Sequence, residues 1–110
     1  MYTIYYGKKT MLHHYVIFTL KSLENKDKKI SELSEKLIAL KTEIKQLHHI
    51  AVKKNIIESE RHGDFLLITI FKNMDDFKVY RDHPAHQRVV SDLKNVCSNS
   101  KVIDFHESLP

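Results

Sequence analysis

Asp64-Phe65-Leu66-Leu67-Ile68-Thr69-Ile70-Phe71-Lys72 is the most apolar stretch of the chain, and its reading decides the architecture. Successive side chains of a strand point to opposite faces. Phe65, Leu67, Thr69 and Phe71 then share one face, and Leu66, Ile68 and Ile70 the other. Both faces are apolar, so the stretch reads as a central strand with cover on each side.

Before it, Glu58 to Gly63 is polar and ends in glycine, as a hairpin loop does. His48 to Ile57 reads as the partner strand, with Ile50, Val52 and Ile56 on one alternation. After it, Asn73 can cap a helix, with Asp76 three residues on in a capping-box-like arrangement. That helix runs from Met74 to about Asp82 and breaks at His83-Pro84. Proline disfavours helical backbone for the residue before it and suits the first position of a new helix. The new helix continues to about Val96. Phe77, Tyr80, Val89, Val90, Leu93 and Val96 supply the inner face of the pair. Ser98-Asn99-Ser100 reads as a turn, and Lys101 to His106 as a short last strand with Val102, Ile103 and Phe105.

Further upstream, Asn25 to Gln46 is the clearest helix. Ile30, Leu33, Leu37, Leu40, Ile44 and Leu47 form one apolar stripe on a charged cylinder. Leu12 to Lys21 reads as the first strand. Leu12, His14, Val16, Phe18 and Leu20 lie on one face, and His13, Tyr15, Ile17, Thr19 and Lys21 on the other. Residues 1–10 read as an extension, 11–107 as the single domain and 108–110 as a tail. The order β-α-β-β-α-β is the ferredoxin-like α+β pattern, an antiparallel four-stranded sheet with two helices on one face. The other face would carry Tyr15, Ile17, Leu66, Ile68 and Ile70 uncovered. A patch of that size calls for a partner, and the simplest is a second copy packed sheet to sheet.

Composition narrows the class. The chain has 110 residues, 42% of them hydrophobic and 29% charged, which suits one water-soluble domain. The formal net charge is +4 at pH 7. Its lysines are scattered and, on the long helix, alternate with acids, which marks a solvated face, so nucleic-acid binding is not expected. No stretch approaches the roughly 20 apolar residues of a membrane span. A lone Cys97 and the absence of a long apolar leader point to the cytoplasm. Adjacent strand histidines such as His13-His14 and His48-His49 point apart, so neither pair chelates, and no metal or cofactor is expected.

The stretch that bears chemistry is Tyr80-Arg81-Asp82-His83-Pro84-Ala85-His86. His86 falls in the first turn of the new helix, where the positive end of the dipole should lower its pKa. A neutral imidazole beside a phenol is a general acid/base pair in one reading. In the other, His86 bonds a backbone carbonyl and Tyr80 is a core aromatic with a wet tip.

Four segments together resemble the stress-responsive A/B-barrel domain family, the dimeric α/β-barrel domain. They are Leu12-His13-His14-Tyr15-Val16-Ile17-Phe18, Phe71-Lys72-Asn73-Met74-Asp75-Asp76-Phe77, the Tyr80–His86 stretch and Val102-Ile103-Asp104-Phe105. The resemblance implies a homodimer whose sheets form a barrel. The family includes plant stress proteins and plant polyketide cyclases. In the cyclases the tyrosine and second histidine of this motif are the acid/base groups, matching Tyr80 and His86, and an early first-strand histidine that lines the pocket matches His14. The cyclases carry a further histidine in the third strand, where this chain has Phe65. The implied site is a pocket beneath the second helix, with catalytic His86 and Tyr80 and with His14, Val16, Phe18, Phe65 and Leu67 around a small apolar or carbonyl-containing ligand. The implied function is cyclase- or isomerase-like proton transfer on a carbonyl compound. The alternative is a non-catalytic, stress-linked binding or scaffold protein.

Overall fold

The computed structural model describes residues 10–108 apart from Leu23. The extension expected at 1–10 and the tail at 108–110 lie, except for Thr10 and Ser108, outside the described residues. In chain order the elements are β1 (Met11–Leu20), α1 (Lys26–Glu43), β2 (His49–Lys54), β3 (Phe65–Phe71), α2 (Met74–Asp82), α3 (Pro84–Val96) and β4 (Cys97–Glu107). The strands form one antiparallel sheet in the order β2-β3-β1-β4. The most apolar stretch, β3, is therefore an inner strand, paired with β1 and β2.

The helix stripe and one strand alternation meet in a single core. Ile30, Leu33, Leu37 and Leu40 of α1 pack with Leu12, Val16, Phe18, Phe65, Leu67 and Phe71 of the sheet and with Tyr80, Val89 and Leu93 of α2 and α3. Helix α1 is shorter than its stripe. Asn25 caps it in the left-handed region (φ 53°), which asparagine tolerates. Ile44 already turns extended, yet Ile44 and Leu47 remain buried, so the stripe continues into the exit. At the other break, Asn73 Oδ1 accepts from the Asp76 amide at 2.9 Å. His83 closes α2 through its own N–H to the Tyr80 carbonyl, and its Nδ1 accepts from the Ala85 amide to open α3.

Two further boundaries differ from the sequence reading. Ser98-Asn99-Ser100 is strand, not turn: Asn99 pairs with Thr19 and Ser100 with Phe18, and a register shift at Thr19/Leu20 absorbs the corner. An edge strand accommodates such polar residues because they face water. Strand β2 stops at Lys54, not Ile57. The Asn55 N–H donates to the Asp64 carbonyl at 3.0 Å, and Ile56 and Ile57 stand 89% and 72% exposed in the loop beyond. That loop returns tightly over β1, since a Cβ on Gly63 would lie 2.1 Å from Ile17 Cγ2.

The face away from the helices follows from register. Ala51, Ile68, Tyr15 and Ile103 form one row across the four strands, and Lys53, Leu66, Ile17 and Lys101 the next. Phe105 stacks on His13 at 4.9 Å and meets Tyr15 edge-on at 5.1 Å, so aromatic rings cover one end of this face. Its middle stays apolar and open, with Ile17 at 46% and Ile103 at 61% exposure.

Asp64 ties β1 to α1. It is 4% exposed, its Oδ2 accepts from the Leu20 amide at 2.6 Å, and its Oδ1 accepts from Lys26 Nζ at 2.8 Å. Burial pushes its carboxyl up, but the hydrogen bonds from Lys26 and Leu20 and the nearby charges of Lys26 and His62 outweigh it and hold the pKa below 3.8. The carboxylate therefore stabilises the fold above the unfolded-state pKa, and that contribution is lost as pH falls through the lower folded value. Asp64→Ala should cost about 1–3 kcal/mol at neutral pH by orphaning the Leu20 amide. Urea titrations should find the gap between wild type and variant narrowing below roughly pH 4. A pH-independent gap would mean that the carboxylate's charge contributes nothing.

Candidate functional site

The break at His83-Pro84 turns α3 so that His86 comes back over Tyr80, with ring centroids 4.2 Å apart. Beneath them β1 presents His14, Val16 and Phe18 on the helix side. Between this strand, β4 and α3 lies a cavity of about 490 Å³. Val16, Phe18, Leu67, Leu37, Val90 and Leu93 give it apolar walls. His14, Tyr80 and His86 converge at one end, and Lys21, Lys94 and the first residues of β4 line the other.

Each polar group at the first end has a defined role. His86 Nδ1 lies 2.9 Å from the Arg81 carbonyl oxygen, which can only accept. Nδ1 is therefore the donor in the neutral ring, and Nε2 carries the lone pair. That carbonyl belongs to the last turn of α2, where helix carbonyls lack intrahelical partners. Burial lowers the His86 pKa below 6.5, and the neighbouring His14 and His83 add to this; the Arg81 carbonyl and Asp82 oppose it. The direction agrees with the sequence expectation, and desolvation is its leading cause.

Tyr80 is 1% exposed, and among the described residues its hydroxyl has no hydrogen-bond partner. Burial drives its pKa well above the ordinary tyrosine value. The phenol therefore stays protonated and serves as a donor, never as a base. A buried hydroxyl without a partner is costly and marks a place where an acceptor belongs. His14 Nδ1 donates to Asp104 Oδ1 at 2.5 Å, leaving its Nε2 as acceptor, and its ring sits 4.9 Å from Phe77.

Of the residues expected around the pocket, His14, Val16, Phe18, Leu67, Tyr80 and His86 line this cavity. Phe65 does not. It stacks on Phe18 at 5.0 Å, and Phe18 forms the wall in its place. Sequence reasoning missed Asp104, Lys21 and Lys94. Strand alternation could have put Asp104 on the face opposite Ile103 and Phe105, but its pairing with His14 is set by register across 90 residues of chain. Among the described residues no three His, Cys, Asp or Glu side chains come together as metal ligands. Among them, too, no helix is long and apolar enough to cross a membrane.

An antiparallel sheet with helices on one face and a pocket under the last helix defines a ferredoxin-like α+β protein. The chain belongs to the stress responsive A/B barrel domain family, whose model matches residues 12–107. No curated protein matches it. Among solved structures it is similar to a dimeric protein of unknown function and ferredoxin-like fold from Bacteroides fragilis, with TM-score 0.78, 26% identity, and coverage of 88% of this chain and 96% of that one. A dimeric ferredoxin-like protein of unknown function from Thermobifida fusca matches with TM-score 0.78, 18% identity and coverage of 90% and 92%. A hydroxynitrile lyase from Passiflora edulis shares the fold, with TM-score 0.77, 14% identity and coverage of 91% and 97%.

Proposed function

We propose that the protein is a homodimer, joined through the open sheet faces, that catalyses proton transfer on a small carbonyl compound in the pocket under α3. The observation that carries this reading is the unpartnered Tyr80 hydroxyl beside a neutral His86 whose Nδ1 is anchored to the Arg81 carbonyl. The arrangement supplies a donor for the substrate oxygen and a base for the carbon beside it. His86 Nε2 takes a proton from the carbon next to the carbonyl. The C–H electron pair moves into the enolate, whose oxygen accepts from Tyr80. Return of that proton to another carbon is isomerisation. Attack of the enolate carbon on a second carbonyl forms a C–C bond, and imidazolium His86 then protonates the new alkoxide. His14, oriented by Asp104, stands beside the same space as a further acceptor. The apolar walls suit an aliphatic substrate body. The existence of a hydroxynitrile lyase on this fold supports an enzyme reading, and the dimeric relatives support the assembly.

The test is hydrogen exchange. A medium-chain methyl ketone is incubated with the full chain in D2O, and loss of the α-hydrogen signals is followed by NMR. Acceleration over buffer is expected. Ketone that binds in the pocket without accelerated exchange would make the protein a carrier and end the catalytic reading. Tyr80→Phe separates the two contributions of the hydroxyl. Exchange should fall by about 10²–10³-fold, as when an oxyanion donor is removed. The empty protein should become more stable by roughly 1 kcal/mol, because an unsatisfied buried donor is gone. A lower melting temperature for Tyr80→Phe would show that the hydroxyl is partnered in solution.

A further inference from the structure

We infer that the ligand of this pocket is an elongated aliphatic carbonyl compound ending in a carboxylate, held by Lys21 and Lys94 at the end away from His86. The inference rests on the reading of the cavity as the ligand site and names the class of compound it takes.

The two ends of the cavity differ in chemistry. His86 and Lys94 are both on α3, eight residues apart, so their backbones are separated by roughly 12 Å along the axis. On the sheet side His14 to Phe18 covers a similar distance, about 13 Å, and Lys21 beyond the end of β1 lies against the end of α3, its amide donating to the Val96 carbonyl at 2.9 Å. Between the ends, Val16, Phe18, Leu67 and Val90 offer only apolar surface. A ligand with its carbonyl at Tyr80 must therefore carry an aliphatic body through this channel.

The far end is cationic, and among the described residues no carboxylate lines it; the nearby buried Asp64 is already paired with Lys26. Lys21 and Lys94 come from different elements and both line the cavity, while no aspartate or glutamate does. Among the described residues neither lysine forms an ion pair. Other charges on α3 are paired: Arg88 reaches Glu43 and Asp92 reaches Lys36, both on α1. The last turn of a helix favours a cation such as Lys94, but that preference does not account for Lys21. Ser100, which pairs with Phe18, adds one hydroxyl midway along the channel, short of the lysines. Two ammonium groups at the end of a largely apolar channel match a carboxylate through charge-assisted hydrogen bonds.

The experiment is calorimetric titration of the full chain with octanoate and with methyl octanoate at neutral pH and low salt. Octanoate should bind about ten-fold more tightly, and added salt should shrink the difference. The double variant Lys21→Ala/Lys94→Ala, checked for an unchanged melting temperature, should lose the preference and keep its affinity for the ester. Equal binding of acid and ester by wild type would overturn the carboxylate end and leave the pocket standing. A preference for the acid that survives in the double variant would overturn the assignment to these lysines. Binding of neither compound would overturn this inference and the pocket reading together.

Discussion

Ile68→Lys should abolish the dimer. Ile68 lies on inner strand β3, in the row Ala51, Ile68, Tyr15 and Ile103 on the face opposite the helices. In a two-fold interface the same surface meets itself, so one substitution introduces two ammonium groups into one apolar contact. An uncompensated buried charge costs about 3–5 kcal/mol. That weakens a dissociation constant by a few hundred- to a few thousand-fold. Size-exclusion chromatography with light scattering should report a monomer with native far-UV circular dichroism. Ile17→Lys, on the same face and already 46% exposed in one subunit, tests the surface with less risk to folding. Two well-folded dimers would mean that the subunits meet elsewhere.

His86→Ala should reduce the α-hydrogen exchange described above by about 10²–10⁴-fold, the range for removal of a general base. Ketone affinity should change little, since the apolar walls remain. The pH profile carries the sign. The base must be neutral, and burial holds the His86 pKa below 6.5. Activity in wild type should therefore climb through the acid range and be level across neutrality. No descending limb should follow from Tyr80 in the working range, because its phenol ionises only far to the alkaline side. Exchange that is greatest in acid and declines towards pH 8 would contradict His86 as the base. His86→Ala with undiminished exchange would move the proton transfer to another group, with His14 the nearest alternative.

The parts of the site that could be read from sequence are those in which a local rule acts. Pro84 forces the break after α2, and Tyr80 and His86 lie on either side of it, so their meeting follows from a few residues of chain. Val16, Phe18 and Leu67 follow from alternation in two apolar strands. Phe65 obeys the same alternation but lies in the core behind Phe18, because β3 is one strand further from β4 and the Phe18 ring of β1 stands between. The strand at Ser98-Asn99-Ser100 was hidden because its residues have turn composition; ladder pairing to Phe18 and Thr19 overrides that preference.

By itself the sequence determined the element order, the helix break, the two-faced apolar sheet and the Tyr80–His86 pair. These depend on periodicity, on proline geometry and on spacing within a few residues. Tertiary structure alone decided that Asp104 holds His14, that the Arg81 carbonyl sets the His86 tautomer, that the Tyr80 hydroxyl lacks a partner among the described residues and that Lys21 and Lys94 share one end of the cavity. Hydrogen-bond satisfaction and charge proximity depend on distances across the fold, and chain order does not carry them.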